Sequence, residues 1–214
     1  MAADSYFVGD DPGKSHSPAI PEIYRHDHLE ARRQVFKLLG AAFHLRTTDG
    51  RLLAYSKQKA FKLKEDIRVF ADEDQTQELL HIQADRVIDF SAAYRVIDAP
   101  TGEPIGSLRR KGWSSMLRDS WEILDPQGMV RARVLEDSQF KALVRRFVDW
   151  ASLLMPQKFL IQVDGQTVAT MKQNHNPFVQ KFFVDLSLDA ENRLPRPLAV
   201  AAVVLLLAIE GRQA

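Results

Sequence analysis

The segment that most constrains the fold lies near the end of the chain. Residues 198–209 read LAVAAVVLLLAI, and Pro195 and Pro197 come just before them. A helix that is apolar on every side is stable only within a bilayer or within a protein core. At about 1.5 Å per residue this segment extends roughly 18 Å, against a hydrocarbon core of about 30 Å. The sequence therefore predicts a helix that the rest of the fold encloses, rather than a membrane anchor, and no transmembrane span.

Composition sets further limits. The chain has 214 residues, of which 45% are apolar and 27% are charged, as in an ordinary soluble globular protein. Its net charge of +1 gives no electrostatic case for binding nucleic acid. It has no cysteine, which excludes disulfides, thiolate metal sites and a cysteine nucleophile. The N-terminus lacks a charged segment followed by an apolar one, so we expect no signal peptide and a cytoplasmic location.

Two regions differ in character. Residues 1–22 are rich in Asp, Gly, Ser and Pro and have few apolar positions, which predicts a disordered or loosely attached tail. Residues 23–214 form the predicted folded domain. In that domain, turn residues at Thr48–Gly50, Ala99–Gly102, Asp125–Gly128 and Asp164-Gly165 separate short apolar runs. Four hairpins at similar spacing predict a sandwich or a barrel of consecutive antiparallel strands.

One stretch has helical rather than strand periodicity. Between Phe140 and Leu154, apolar residues recur every three or four positions, and Pro156 follows them. This spacing predicts an amphipathic helix that lies on the outside of the sheet.

The region after the second hairpin resembles a known family. Residues 109–125 read RRKGWSSMLRDSWEILD, Phe-Lys-Leu recurs at residues 36–38 and 61–63, and residues 206–213 read LLAIEGRQ. These features resemble the bacterial branch of the LURP-one-related family, which belongs with the tubby C-terminal and phospholipid scramblase domains. The similarity covers about residues 33–213. It implies a mainly β fold, a closed antiparallel barrel of about twelve strands around a central apolar C-terminal helix.

The resemblance implies a non-enzymatic binding module, and the most basic run is its candidate site. Arg109, Arg110, Lys111 and Arg118 are the candidate ligands for a phosphate or an anionic phospholipid or phosphoinositide headgroup. Trp113 is the candidate for insertion at a membrane interface. The alternative for these cations is that they keep a solvent-facing strand soluble. The alternative function is a structural or protein-interaction barrel with no small-molecule ligand, whose outer helix or tail contacts a protein partner.

Other polar groups give no catalytic or metal-binding pattern. His26-Asp27-His28 has no third ligand at a typical spacing, so we expect no metal there. Asp72-Glu73-Asp74 lacks the glycine and the terminal carboxylate of a calcium loop. His81 and His175 have no nucleophile motif beside them. The sequence therefore predicts no catalytic residue, no cofactor and no metal.

Overall fold

In the computed structural model, the described residues are 19–36, 40–58, 66–84, 93–110, 120–137, 157–174 and 181–209. They form a short 3-10 helix (Glu22–Arg25), twelve β-strands and one α-helix, α1 (Arg196–Ile209). The strands are β1 (His28–Phe36), β2 (Gly40–Arg46), β3 (Leu52–Gln58), β4 (Asp66–Phe70), β5 (Glu78–Ala84), β6 (Ala93–Asp98), β7 (Pro104–Arg110), β8 (Ser120–Leu124), β9 (Val130–Glu136), β10 (Lys158–Val163), β11 (Gln166–Gln173) and β12 (Lys181–Asp185).

The strands close into an antiparallel barrel. Each strand pairs with its neighbours in the chain, and β1 pairs with β12 from His28↔Asp185 to Arg32↔Lys181. The four hairpins that the turn residues predict are β2–β3, β6–β7, β8–β9 and β10–β11. The closed, mainly β barrel that the resemblance implies is confirmed.

The β10–β11 turn shows why the sequence specifies these hairpins. Asp164 and Gly165 have φ angles of +49° and +79°. A two-residue turn in which both residues have positive φ matches the right-handed twist of the two strands that it joins, and Asp-Gly is among the residue pairs that adopt that conformation most readily. The turn therefore fixes the register of β10 against β11.

Side chains alternate between the interior and the outer surface of the barrel. In β12, Phe182 and Val184 are buried, whereas Phe183 between them is 49% exposed. The same period of two appears in β4, where Ile67 and Val69 are buried and Asp66 and Arg68 are exposed. The alternation is what a sheet with one apolar and one solvated face requires.

The helix α1 is buried on every face. All residues from 198 to 209 are at most 9% exposed, as the apolar sequence predicts. The helix lies closest to β5, β6, β7 and the 3-10 helix. Among the described residues, no helix is long and apolar enough to cross a bilayer. Its position along the centre of the barrel stays a prediction, which the burial of all its faces supports.

The 3-10 helix and Asp27, which follows it, connect the start of the domain to the start of α1. Its Ile23 is buried, and Arg196 Nη2 donates to Asp27 Oδ1 at 2.6 Å. Asp27 also accepts a backbone hydrogen bond from Leu186, just after β12. Residues 1–18 of the predicted tail and the predicted helix at residues 140–154 lie outside the described residues.

Candidate functional site

The two arginines of the predicted site that the structure describes lie on opposite faces of β7. Arg109 faces outward, and its Nη2 atom lies 2.7 Å from Oε2 of Glu122 on β8. The Glu122 side chain is only 3% exposed, and its other oxygen lies 3.9 Å from Nε of Arg133 on β9. Because a buried carboxylate needs a cation beside it, the charge of Arg109 is committed to Glu122.

Arg110 shares the inward side of β7 with the buried Leu108. Its guanidinium carbon lies 5.9 Å from the ring centroid of Trp121, a cation–π distance. The Trp121 ring lies 5.9 Å from the ring of Tyr94. Burial raises the pKa of Tyr94, and the charge of Arg110 opposes that rise. Arg110 therefore belongs to an aromatic cluster at the inner wall, on the side opposite Arg109.

The remaining residues of the predicted site are Lys111, Trp113 and Arg118. They lie outside the described residues, so their positions relative to Arg109 stay a prediction. Arg109 and Arg110 are adjacent in sequence, but the pleat of the strand points them in opposite directions. The two do not form one outer patch.

The two histidines near the start of the domain, His26 and His28, contact different carboxylates. His26 lies 3.6 Å from Glu22, and His28 lies 3.5 Å from Asp185. Asp27 between them accepts from Arg196. In the described ranges, no group of three or more His, Cys, Asp or Glu side chains is arranged to hold a metal ion.

The acidic run at residues 72–74 shapes the β4–β5 turn. Asp72 accepts hydrogen bonds from the backbone of Thr76 and Gln77, and the Thr76 amide lowers the pKa of Asp72. Glu73 lies 3.4 Å from His44 and 3.6 Å from Arg46. Asp72 therefore stabilises the β4–β5 turn, and Glu73 connects this turn to β2.

A basic surface that the sequence analysis missed surrounds Phe183. We name it the Phe183 face. Four outward cations on four neighbouring strands define it together with that ring: Lys158 on β10, Lys172 on β11, Lys181 on β12 and Arg32 on β1. Lys172 lies directly across from both Lys158 and Phe183, and Arg32 lies directly across from Lys181. The Lys181 ammonium lies 5.6 Å from the centroid of the Phe183 ring.

Nearby carboxylates compensate part of the positive charge of the Phe183 face. Lys158 contacts Asp137 at 2.8 Å, and Lys181 contacts Glu30 at 2.7 Å. Lys172 and Arg32 are exposed and have no ion pair within 4 Å among the described residues, although Lys172 interacts at longer range with the carboxylate of Asp185 on β12. Cations directly across from one another destabilise a sheet slightly, by a few tenths of a kcal/mol per pair. The face therefore combines an excess of positive charge with a half-exposed aromatic ring.

No single stretch of sequence shows this surface. The cations that form it lie at outward positions of β10, β11, β12 and β1. In the sequence, β1 is far from the other three strands. Only the closure of β1 against β12 brings Arg32 beside Lys181.

Comparison with known proteins gives one match. The family model for LURP-one-related proteins matches residues 53–207. No curated protein and no solved structure matches the chain. The matched region runs from β3 into α1 and so includes ten of the described strands and most of the buried helix. Because the match covers well over half of the chain and agrees with the observed barrel, the chain belongs to the LURP-one-related family.

Proposed function

We propose that this chain is a non-enzymatic binding module that docks on anionic phospholipid headgroups through the Phe183 face. The observation that carries the proposal is the grouping of four outward cations around an exposed aromatic side chain. Lys and Arg attract phosphate groups, and an aromatic ring beside them is apolar enough to enter the interface. Docking of this kind is peripheral, at the cytoplasmic surface of a membrane.

The charge excess is sufficient for reversible binding. Each Lys or Arg near an anionic leaflet contributes about 1 kcal/mol. Lys158 and Lys181 have carboxylate partners, and Asp185 lies near Lys172, so the uncompensated part contributes about 1–2 kcal/mol. That is about fivefold to thirtyfold in affinity, to which the burial of the Phe183 ring adds.

The cations predicted from the sequence are a second candidate contact. Arg109 would have to leave the buried carboxylate of Glu122, and Arg110 faces the interior beside Trp121. In the described part of the chain, Lys172 and Arg32 form no ion pair with a buried carboxylate and do not face the interior. Because they are more accessible to a headgroup than Arg109 and Arg110, the Phe183 face is favoured over the β7 site.

Co-sedimentation with vesicles tests the proposal. The wild type should pellet with phosphatidylcholine vesicles that contain 30% phosphatidylserine, and binding should weaken steeply with salt because exposed charges are screened within about 10 Å at 0.1 M. The double variant Lys172→Glu, Arg32→Glu should bind at least thirtyfold more weakly, from the loss of about 1 kcal/mol for each cation. Vesicles of phosphatidylcholine alone should bind neither protein.

A matched control variant distinguishes the effect of the Phe183 face on vesicle binding from the effect of net charge. Lys57 and Arg25 are exposed and have no ion-pair partner among the described residues. Lys57→Glu, Arg25→Glu changes the net charge by the same amount as the test variant, and it should leave binding within threefold of the wild type. Equal loss in both double variants would show that only net charge matters. If the wild type does not pellet at low salt, the headgroup function is wrong, and the protein-interaction alternative takes its place.

A further inference from the structure

The pairing between β3 and β4 differs from that of the other neighbouring strands in the barrel. Among the described residues, these two strands pair only at Tyr55↔Phe70. On its other side β3 pairs with β2 along its whole length, and β4 does the same with β5. We name the boundary between residues 55–58 and residues 66–70 the β3–β4 seam. A shorter backbone ladder joins it than any other boundary in the described barrel.

Buried residues line the inner side of the β3–β4 seam. Antiparallel register, continued from the one observed pair, places Ser56 opposite Val69 and Gln58 opposite Ile67. All four residues are at most 3% exposed. Neither position forms a ladder pair in the described part of the chain, so the buried backbone there lacks the ladder hydrogen bonds that join the other strands.

The two polar side chains on this inner side add a cost to the closed seam. The hydroxyl of Ser56, and both the oxygen and the nitrogen of the Gln58 amide, have no hydrogen-bond partner among the described residues. A buried polar group without a partner keeps its full desolvation penalty, which exceeds the net gain from an ordinary hydrogen bond. Exposure of these two side chains to water would therefore remove a penalty that the closed seam carries.

On the outer side, no ion pair among the described residues joins β3 to β4. Arg68 contacts Glu78 on β5 at 3.0 Å, and its other close carboxylate, Asp66, lies on β4 itself. Lys57 is exposed and lies opposite Arg68 in the continued register. Because like charges directly opposite each other destabilise strand pairing, these side chains do not hold the seam together.

One end of the seam is anchored. Glu73 in the β4–β5 turn lies 3.4 Å from His44 and 3.6 Å from Arg46, both on β2, and so spans β3. The Tyr55↔Phe70 pair is close to this end. The unpartnered side chains lie beyond that pair, toward the other end of the two strands. The strands can therefore separate at that other end while the anchored end stays closed.

We propose that the barrel wall opens at the β3–β4 seam in the native protein, with the anchored end as the hinge. Opening separates residues 56–58 from residues 66–69 and admits water to the Ser56 hydroxyl and the Gln58 amide. It breaks few ladder hydrogen bonds. Both factors lower the free energy of opening here relative to the separation of any other pair of strands. The β3–β4 seam shares no residue with the Phe183 face, so the opening does not depend on membrane docking.

Thiol labelling tests the opening directly, because the chain has no cysteine of its own. Ser56→Cys introduces a buried thiol of similar size at the seam. Val134→Cys introduces one at a matched inner position, since Val134 is 1% exposed and pairs with Trp121 on one side and Ile161 on the other. Without denaturant, dithiobis-nitrobenzoate should label Ser56→Cys about a hundredfold faster than Val134→Cys. Rates in concentrated urea, where both thiols are exposed, correct for intrinsic reactivity.

The urea dependence of the labelling rate distinguishes local opening from global unfolding. Opening of the seam exposes little surface, so the rate for Ser56→Cys should change little at low urea concentrations. The rate for Val134→Cys should rise steeply, because its thiol is reached through global unfolding. A Ser56→Cys rate that rises as steeply as that of Val134→Cys would overturn the proposal.

A second substitution tests the assigned cause. Gln58→Met replaces the unpartnered amide by an apolar side chain of similar size, which has less to gain from water. Added to Ser56→Cys, it should slow labelling about fivefold or more. Gln166→Met changes an exposed glutamine on β11 and should leave the rate unchanged. An unchanged rate with Gln58→Met would refute the role of the buried amide.

Hydrogen exchange of the wild type, followed by NMR, gives the same test without a substitution and decides the matter if Ser56→Cys does not fold. The amides of β3 and β4 that point into the seam should exchange about a hundredfold faster than those between β8 and β9. Equal protection at the two boundaries would show that the wall opens only by global unfolding, and the proposal would be wrong.

Discussion

Replacing Gly106 by alanine should destabilise the barrel more than any ordinary turn substitution. Gly106 lies on β7, opposite Val96 of β6, where the chain passes close to the start of α1. A methyl group at this position would overlap the backbone carbonyl oxygen of Leu124 on β8 and would lie 3.0 Å from Cδ2 of Leu198 on the helix. The first neighbour is backbone and cannot rotate away, so β7 and β8 must separate.

The cost follows from these contacts. Overpacking of a tight interior costs about 1–3 kcal/mol, and the loss of two hydrogen bonds between the separated strands adds about 2 kcal/mol. We therefore expect Gly106→Ala to lower the free energy of unfolding by about 3–5 kcal/mol. For a chain of this length that lowers Tm by roughly 6–20 °C.

Gly102 supplies the matched control, since it lies in the β6–β7 turn of the same hairpin. It has a φ of +72°, and a methyl group there would meet no atom within 4 Å. Gly102→Ala should therefore cost only the strain of the left-handed conformation, about 1–2 kcal/mol. Urea unfolding of both variants, followed by circular dichroism, measures the difference. If Gly106→Ala were no less stable than Gly102→Ala, Gly106 would not lie as close to the Leu124 carbonyl of β8 as this reasoning requires.

Two further substitutions test the buried helix and a buried histidine. Val204→Asp should leave no cooperatively folded protein, because Val204 is fully buried and a carboxylate at its site would have no partner. The control variant Val204→Ala should fold, with a loss of about 1–3 kcal/mol in the free energy of unfolding. A soluble Asp variant that unfolds cooperatively would contradict the enclosed helix. Burial lowers the pKa of His44 from its ordinary 6.5 against the opposing charge of Glu73, with Arg46 and Arg32 adding to the decrease. On acidification the unfolded chain therefore binds the proton of His44 at a higher pH than the folded chain. The stability of the wild type relative to His44→Gln should fall as pH drops below about 6.5 and stay constant between pH 7 and 8. Urea unfolding midpoints at each pH measure this difference in stability, and a difference that does not change with pH would contradict the prediction.

The sequence specifies the parts of the fold whose signals are local. A helix that is apolar on every face and too short to span a bilayer must be enclosed by the rest of the protein. The observed helix begins two residues before the predicted segment and ends with it at Ile209. The Asp164-Gly165 turn is specified in the same way, because few residue pairs tolerate two positive φ angles. The closure of β1 with β12 has no such local signal, and only the family resemblance implied it.

The candidate site was harder to predict because its parts are distributed over distant strands. Arg109 and Arg110 form a cluster in the sequence, but successive side chains of a strand point to opposite faces of the sheet. Arg109 therefore contacts Glu122, and Arg110 lies over Trp121. Arg32 and Lys181 carry no shared sequence signal and become neighbours only through closure. Prediction of the Phe183 face would have required the full strand register.

The Phe183 face also allows a test in which stability and binding change in opposite directions. Lys172 lies directly across from Lys158, so Lys172→Glu converts a like-charged cross-strand pair into an opposite-charged one. Such a change stabilises a sheet by about 0.2–1 kcal/mol. The loss of the longer-range attraction between Lys172 and Asp185 offsets part of this gain, so Tm should rise by at most about 4 °C. The same variant should bind phosphatidylserine vesicles several-fold more weakly, since a cation near the leaflet contributes about 1 kcal/mol. A folding defect lowers stability and binding together, so higher thermal stability with weaker vesicle binding excludes a folding defect as the cause. If Lys172→Glu raised Tm and left vesicle binding intact, the repulsion would be real but the Phe183 face would not be the docking surface.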